Sequence, residues 1–481
     1  MIQSMRRMSA RPAALPSDFA TLRTLADQAF NRAAGAPLIG GNRVQVLQDG
    51  AENYPAWERA IASARSTIHV EMYIVHNDLT GRRFVDLLAE RARAGVTVRL
   101  VYDWFGCGWG PWFGLFKPLV AAGGQVRAFN PPTFVAMLSW TRRNHRKLIT
   151  VDNRVAFVSG LCVGNMWVGD ASHPPWRDTG LQIEGPAVAH LERAFYDSWQ
   201  LAGGDMAPVR RPDLGKIAPA GSVSLRIIAT EPFTASMLRI DLLVAAMARK
   251  TLWITDAYFI GHGPYIEALR RASHDGVDVR LLMPRDSDVG WTVPVSRTMY
   301  RTMLEAGVRL FEWNGSMVHA KTAVADSRWS RIGSTNLNVN SWLGNWELDI
   351  AIDDAGVAET LEERFLQDLE HSTEFVLGGD QRPPRRPRLP ARAAARRSAR
   401  RVVRTVTGVG RSLSAAVTGS RTLEDFESFP VFLIGIIFAI VAVVAVLQPP
   451  LVAWPLGALT AWAALSLIIE AVRLWRQRKR S

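Results

Sequence analysis

The stretch HRKLITVD, from His145 to Asp152, has a counterpart 174 residues later in HAKTAVAD, from His319 to Asp326. Each carries a His, a Lys two places on and an Asp five places beyond that. The surroundings repeat as well. STIHVEMYIVHND, from Ser66, parallels KTLWITDAYFIGHG, from Lys250: each is a β-rich run leading into a Tyr. RARAGVTVRLVYD and RRASHDGVDVRLLMP both read as a helix end, a Gly stop and a buried strand. An internal duplication of this length restricts the fold severely. It predicts two tandem α/β sandwich halves with mostly buried sheets, forming one pseudo-twofold catalytic unit. The expected boundaries are a leader and helix over 1–37, with the helix starting near Phe19, a first half over 38–205, a linker over 206–222 and a second half over 223–378.

Both repeated segments have strand composition. Alternation puts His145 and Lys147 on one face, and His319 and Lys321 likewise. Asp152 and Asp326 lie an odd number of residues from their His, where each strand turns, and are expected to support the turn rather than react. Two half-sites on a duplicated frame suggest a single site across the pseudo-twofold. One imidazole can attack as a neutral nucleophile while the other, protonated, releases the leaving alcohol. Two Lys supply positive charge where a pentacoordinate phosphate gathers negative charge. No acidic cluster of the kind found in two-metal phosphodiesterases accompanies the motifs, so neither a metal nor another cofactor is expected. The two cysteines, Cys107 and Cys162, make no disulfide framework or Cys-based zinc site.

The net charge of +13 is concentrated in one segment. Residues 381–423 contain twelve Arg and no acid, whereas residues 1–380 are close to neutral. A nucleic-acid partner is therefore not expected for the globular part. Two charge-free runs of 19 residues follow, Phe429 to Leu447 and Leu451 to Ile469, joined by QPP. Each matches the ~20 residues that cross a hydrocarbon core, so a transmembrane hairpin is expected over 429–471. A basic linker over 379–428 precedes it and a basic tail over 472–481 ends it, which places both flanks in the cytoplasm by the positive-inside rule. The linker also fits a polybasic segment on anionic lipid. The aromatic stretch DWFGCGWGPWFGLF, from Asp103, reads equally as core packing or as a loop dipping into a lipid interface.

The doubled HxKxxxxD, with SG and GSTN downstream, resembles the phospholipase D superfamily. LIGGNRVQVLQDG, IHVEMYIVHNDLTG, WRDTGLQIEGPAV and EAGVRLFEWNGSMVHAKTAVAD together resemble bacterial cardiolipin synthases, from about Leu38 to Gly378. The resemblance implies phospholipase D-type halves and transfer of a phosphatidyl group from phosphatidylglycerol, an anionic phospholipid, at a bacterial inner membrane. It implies His145 as nucleophile, His319 as general acid and base, and Lys147, Lys321, Ser334 and Asn336 as phosphate-binding groups. It further implies Asp178 and Glu347 as the acids that orient the two imidazoles. The first half departs from the family pattern: Ser159-Gly160-Leu161-Cys162 stands for Gly-Gly-x-Asn, so Cys162 occupies a phosphate-binding position as a weak donor. Asn165 stands for an expected Asp. A hydrolytic phospholipase D, a phosphodiesterase nuclease and an inactive membrane tether are the competing readings.

Overall fold

The computed structural model describes residues 19–108, 110–131, 142–204, 217–377 and Trp462. The two apolar runs over 429–447 and 451–469, like the Arg-rich segment before them, lie outside these residues, Trp462 excepted. Among the described residues no helix is long and apolar enough to cross a membrane.

Each half is assembled around a crossover that its sequence punctuates clearly. In the first, strand Thr67–Met72 is followed by helix Leu79–Arg93 and the parallel strand Thr97–Asp103. Asp78 caps that helix by accepting the Gly81 N–H, and Gly95 turns the chain afterwards at φ 90°. Strand Gln125–Phe129 extends the parallel side. On the other side, Lys147–Val151, Val155–Ser159, Thr179–Glu184 and Ile39–Gln48 follow in antiparallel order. The second half repeats this order. Strands Thr251–Thr255, Asp278–Pro284 and Arg309–Trp313 are parallel, and Thr322–Ala325, Trp329–Gly333, Glu347–Asp353 and Val223–Thr230 are antiparallel. The halves meet where Ile39 and Asn42 pair with Leu225 and Val223, which makes one sheet of 15 strands.

One apolar cluster belongs to both halves. Val158, Leu181 and Ile183 of the first pack with Ile332, Leu348 and Ile350 of the second, together with Phe195 and Phe365 from helices Ala187–Leu201 and Ala355–Glu370. A second cluster covers the outer face of the first half, and a third that of the second. Helix Phe19–Ala34 packs against the second half: Ala34 joins that half's cluster, and Arg226 reaches both Asp27 and Asn31 at 2.9 Å. Nothing local in the sequence marks this long-range docking.

The conserved spacing of the repeated segment acquires a structural meaning at its Asp. Asp152 and Asn153 turn the hairpin at φ 54° and 52°, and Asp326 and Ser327 do so at 52° and 51°. The Asp152 carboxylate accepts from the N–H groups of Arg65, Ser66 and Thr67 at 2.7–2.9 Å. Asp326 accepts from Arg249, Lys250 and Thr251 at 2.7–3.0 Å. Each Asp thus ties its hairpin to the start of the neighbouring parallel strand. For Asp152, burial alone would raise the carboxyl pKa, but these donors hold it below its usual range. Asp152→Ala and Asp326→Ala are expected to lower stability by about 1–2 kcal/mol each, the lower part of the range for bonds to a charged group because both sites are partly solvated. Thermal unfolding midpoints would show this, with turnover at low temperature changed only a few-fold.

Candidate active site

The two histidines are held by the opposite half of the chain. Ahead of strand Lys147–Val151, Asn144 forms a parallel bridge with Trp346, and the His145 N–H donates to the Trp346 carbonyl at 2.8 Å. Val318 bridges Arg177 in the same way, and the His319 N–H donates to the Arg177 carbonyl at 2.7 Å. The strands expected to begin at the histidines therefore begin later, at Lys147 and at Thr322, because the backbone at each His is paired across the interface. Asn144 is fixed in turn: its N–H donates to Asp103 at 2.8 Å, and its amide donates to the buried Glu71 at 2.6 Å. Burial pushes the Asp103 carboxyl up to about 6, against the pull of the Gly106 and Asn144 N–H groups.

The orienting carboxylates are exchanged as well. His145 Nδ1 lies 2.8 Å from Glu347 Oε2, and His319 Nδ1 lies 2.7 Å from Asp178 Oδ2. With Nδ1 donating to a carboxylate, each ring presents Nε2 to the site. Burial would raise the pKa of both acids, but the paired histidines and the nearby lysine charges outweigh it and hold Glu347 and Asp178 below the ordinary carboxylate range. Burial pushes both histidines down, with Glu347 and Asp178 opposing; His319, which also feels Lys321, falls to about 4. Both shifts favour the neutral imidazole.

Two buried ammonium groups complete the centre. Lys147 Nζ donates to the His145 carbonyl at 2.6 Å, and Lys321 Nζ donates to that of His319. Among the described residues neither is ion-paired with a carboxylate. Lys147 stands over the Tyr73 ring at 5.1 Å, and Lys321 over Tyr258 at 5.5 Å. Burial pushes Lys147 down and takes Lys321 to about 8, with Asp178 opposing both. The charge of Lys321 depresses His145, and that of Lys147 depresses His319, so the two motifs lie within electrostatic reach of each other. Neutral Nε2 atoms beside two cations suit a phosphodiester. Among the described residues no three His, Cys, Asp or Glu side chains are grouped to hold a metal ion.

The family profile described as "Cardiolipin synthase, PLD-like domain" matches residues 58–169 and 243–369, which contain both repeated segments. A cardiolipin synthase of Alkalihalophilus pseudofirmus is 32% identical over 348 residues, covering 70% of this chain and 68% of its own. The chain belongs to the PLD-like cardiolipin synthase family. Cardiolipin synthase A of Pseudomonas aeruginosa is 33% identical over 367 residues, 75% of this chain and 73% of that one. A phosphatidylserine synthase from Haemophilus influenzae superposes with a TM-score of 0.59 at 14% identity, over 73% of this chain and 92% of that one, and so shares the fold.

Within this PLD-like frame, the remaining residues singled out in the sequence take distinct places. The Ser334 hydroxyl donates to Glu347 at 2.6 Å and accepts the Leu348 N–H at 2.9 Å, so it bears on the orienting acid. Asn336 is buried, and its Oδ1 has no hydrogen-bond partner among the described residues. Cys162 is buried; desolvation raises its thiol pKa, while Lys147 and Lys321 act the other way. Asn165 accepts from Thr80 N–H at 3.1 Å. In the aromatic stretch, Cys107, Leu115 and Phe116 are core residues, whereas Trp112 and Phe113 are 80% and 73% exposed, so core packing accounts for only part of it. Tyr73 and Tyr258, whose rings lie 4.7 Å from His145 and 5.8 Å from His319, were not singled out as site residues. Their recurrence at the end of both repeated strands is the signal that could have found them. Trp176, 5.5 Å from His319, has no such repeat, whereas Trp167, 5.6 Å away in NMWVG, recurs as Trp342 in NSWLG, whose indole N–H donates to Asp241 at 2.9 Å instead of to an orienting acid.

A tetrahedral oxyanion in this site needs the lysines charged. Inhibition by tungstate, a dianion throughout the neutral range, is expected to weaken by roughly tenfold between pH 7 and pH 9 as Lys321 loses its proton near pH 8. Inhibition constants measured across that range, with Lys321→Ala flattening the dependence, check this.

Proposed function

We propose that this chain is a cardiolipin synthase that joins two phosphatidylglycerol molecules, releasing glycerol, through a phosphohistidine intermediate. The observation that carries the reading is the exchanged pairing of His145 with Glu347 and His319 with Asp178, which turns two half-motifs into one site with two lysines. The names borne by relatives at 32–33% identity support cardiolipin as the product.

The chemistry divides between the imidazoles. His145 Nε2 attacks the phosphorus of the first phosphatidylglycerol and forms the N–P bond. The O–P bond to the glycerol headgroup breaks, and that oxygen takes the proton of His319 Nε2. An anionic phosphodiester between the rings raises the depressed affinity of His319 for this proton. Lys147 and Lys321 neutralise the equatorial oxygens. A hydroxyl of the second phosphatidylglycerol then gives its proton to His319 and attacks the phosphohistidine, breaking the N–P bond and restoring both rings. Water in place of that hydroxyl would yield phosphatidic acid, the outcome of a hydrolytic phospholipase D.

Purified protein with isotope-labelled phosphatidylglycerol is expected to give cardiolipin and glycerol by mass spectrometry, with excess chelator present. Phosphatidic acid as the main product would favour the hydrolase. His145→Ala and His319→Ala should each lower turnover by at least ~10²–10⁴-fold, the worth of an acid–base group, and more for the nucleophile. Near-normal turnover in either variant would contradict a shared site.

The reading extends to the bilayer. The runs over 429–447 and 451–469 would anchor the protein in the inner membrane, with the catalytic halves on the cytoplasmic side and the Arg-rich linker on anionic lipid. The exposed Trp112 and Phe113 suit the same interface. A chain truncated after Gly378 should leave the membrane fraction on carbonate washing, while the full chain stays. Retention of the truncated chain would place the anchor elsewhere.

A further inference from the structure

The two histidine–carboxylate pairs are equivalent by symmetry but built differently. Glu347 Oε2 receives the Ser334 hydroxyl at 2.6 Å beside His145 Nδ1, and Glu347 Oε1 receives the Asn345 amide at 3.1 Å. In the first half Gly160 occupies the place of Ser334, and Trp176 that of Asn345, two residues before the acid. Gly160 has no hydroxyl, and a Cβ there would run into the Asp178 carboxylate. The neighbouring Ser159 hydroxyl turns away to the Leu161 carbonyl at 3.2 Å. Asp178 would thus lack the side-chain donor that its counterpart has.

The missing donor comes from elsewhere in the chain. Trp167 Nε1 lies 3.1 Å from Asp178 Oδ2, the same oxygen that receives His319 Nδ1 at 2.7 Å. The Thr179 N–H takes the other oxygen at 2.8 Å. Trp167 is only 1% exposed, and its ring stands edge-on to His319 at 5.6 Å, while Trp176 lies 5.5 Å from His319 at 34°. Each histidine also has a tyrosine ring, Tyr73 at 4.7 Å from His145 and Tyr258 at 5.8 Å from His319, but the carboxylate serving His145 is surrounded by polar groups.

We propose that Trp167 is the positioning residue of the His319–Asp178 pair: its indole N–H replaces the hydroxyl lost at Gly160 and makes His319 chemically distinct from His145. The inference rests on the proposed acid–base role of His319. The indole N–H draws charge from Asp178 Oδ2 and holds the carboxylate in the plane that aims His319 Nε2 at the shared site. Without it Asp178 is more basic, and His319 takes up a proton more readily. Ser334 serves His145 through Glu347 in the same sense.

The test compares Trp167→Phe with Ser334→Ala in the full chain in lipid–detergent micelles, using pH–rate profiles for phosphatidylglycerol and for bis(4-nitrophenyl) phosphate. Trp167→Phe is expected to lower kcat roughly tenfold, less than loss of the acid–base group itself, with KM within about twofold. It should also move one limb of the profile to higher pH by about half to one unit, and Ser334→Ala should move the other limb. A profile that keeps its position in Trp167→Phe, whatever the loss of kcat, overturns the proposal, as does movement of the same limb by both variants. If Trp167→Phe does not fold, replacement of Trp167 by 3-benzothienylalanine, which keeps the ring shape and lacks the N–H, gives the same reading. Turnover of the nitrophenyl ester without that of phosphatidylglycerol would reject the lipid assignment alone, since the limbs are still measured. Failure of both substrates in the unaltered protein would reject both.

Discussion

Everything at the centre of this protein depends on an exchange: each half supplies a histidine and the other half supplies the carboxylate and the backbone carbonyl that hold it. Glu347 and the Trp346 carbonyl fix His145, and Asp178 and the Arg177 carbonyl fix His319. Neither half contains a complete site. The exchange also explains why buried charge is tolerated there. Two ammonium groups and two carboxylates are removed from water, which costs several kcal/mol for each ion unless partners compensate. The carboxylates find several donors, whereas among the described residues the lysines keep only a carbonyl each and an aromatic face. That residual positive potential is what an anionic phosphodiester would neutralise.

The scaffold makes this arrangement rigid. Continuing the sheet from Ile39–Gln48 into Val223–Thr230 fixes the distance between halves, and the shared apolar cluster fills the space behind the site. Arg146 reaches the Glu347 carbonyl at 3.2 Å and the Ser198 hydroxyl at 3.1 Å, so even the residue between His145 and Lys147 is tied across the interface. In the second half that position is Ala320. The duplication has therefore kept the reacting groups and let their supports diverge, most clearly around Asp178, where tryptophans stand in place of polar side chains.

Much of this was legible from spacing. The duplicated His, Lys and Asp positions, the two α/β halves and the helix from Phe19 are all local patterns, with signals in alternation, Gly stops and turn residues. Asp152 and Asp326 could be assigned to the turns because an odd offset from the His sends them off the reacting face, and the structure places them there. The strand starts were less legible: His145 and His319 have strand composition, but their backbones pair with the opposite half, and no local pattern encodes a partner well over a hundred residues away. The docking of helix Phe19–Ala34 on the second half was hidden for the same reason.

The sequence by itself determined which groups can react and how many sites' worth of them exist, because residue identity and periodicity are properties of the chain alone. It also determined where positive charge and long apolar runs lie. Only the tertiary structure decided which acid serves which histidine, that Ser334 bears on Glu347, and that Trp167 serves Asp178. Those relations are distances of about 3 Å between residues far apart in the chain or on different turns. They exist only once two sheets have joined edge to edge and excluded water from the seam.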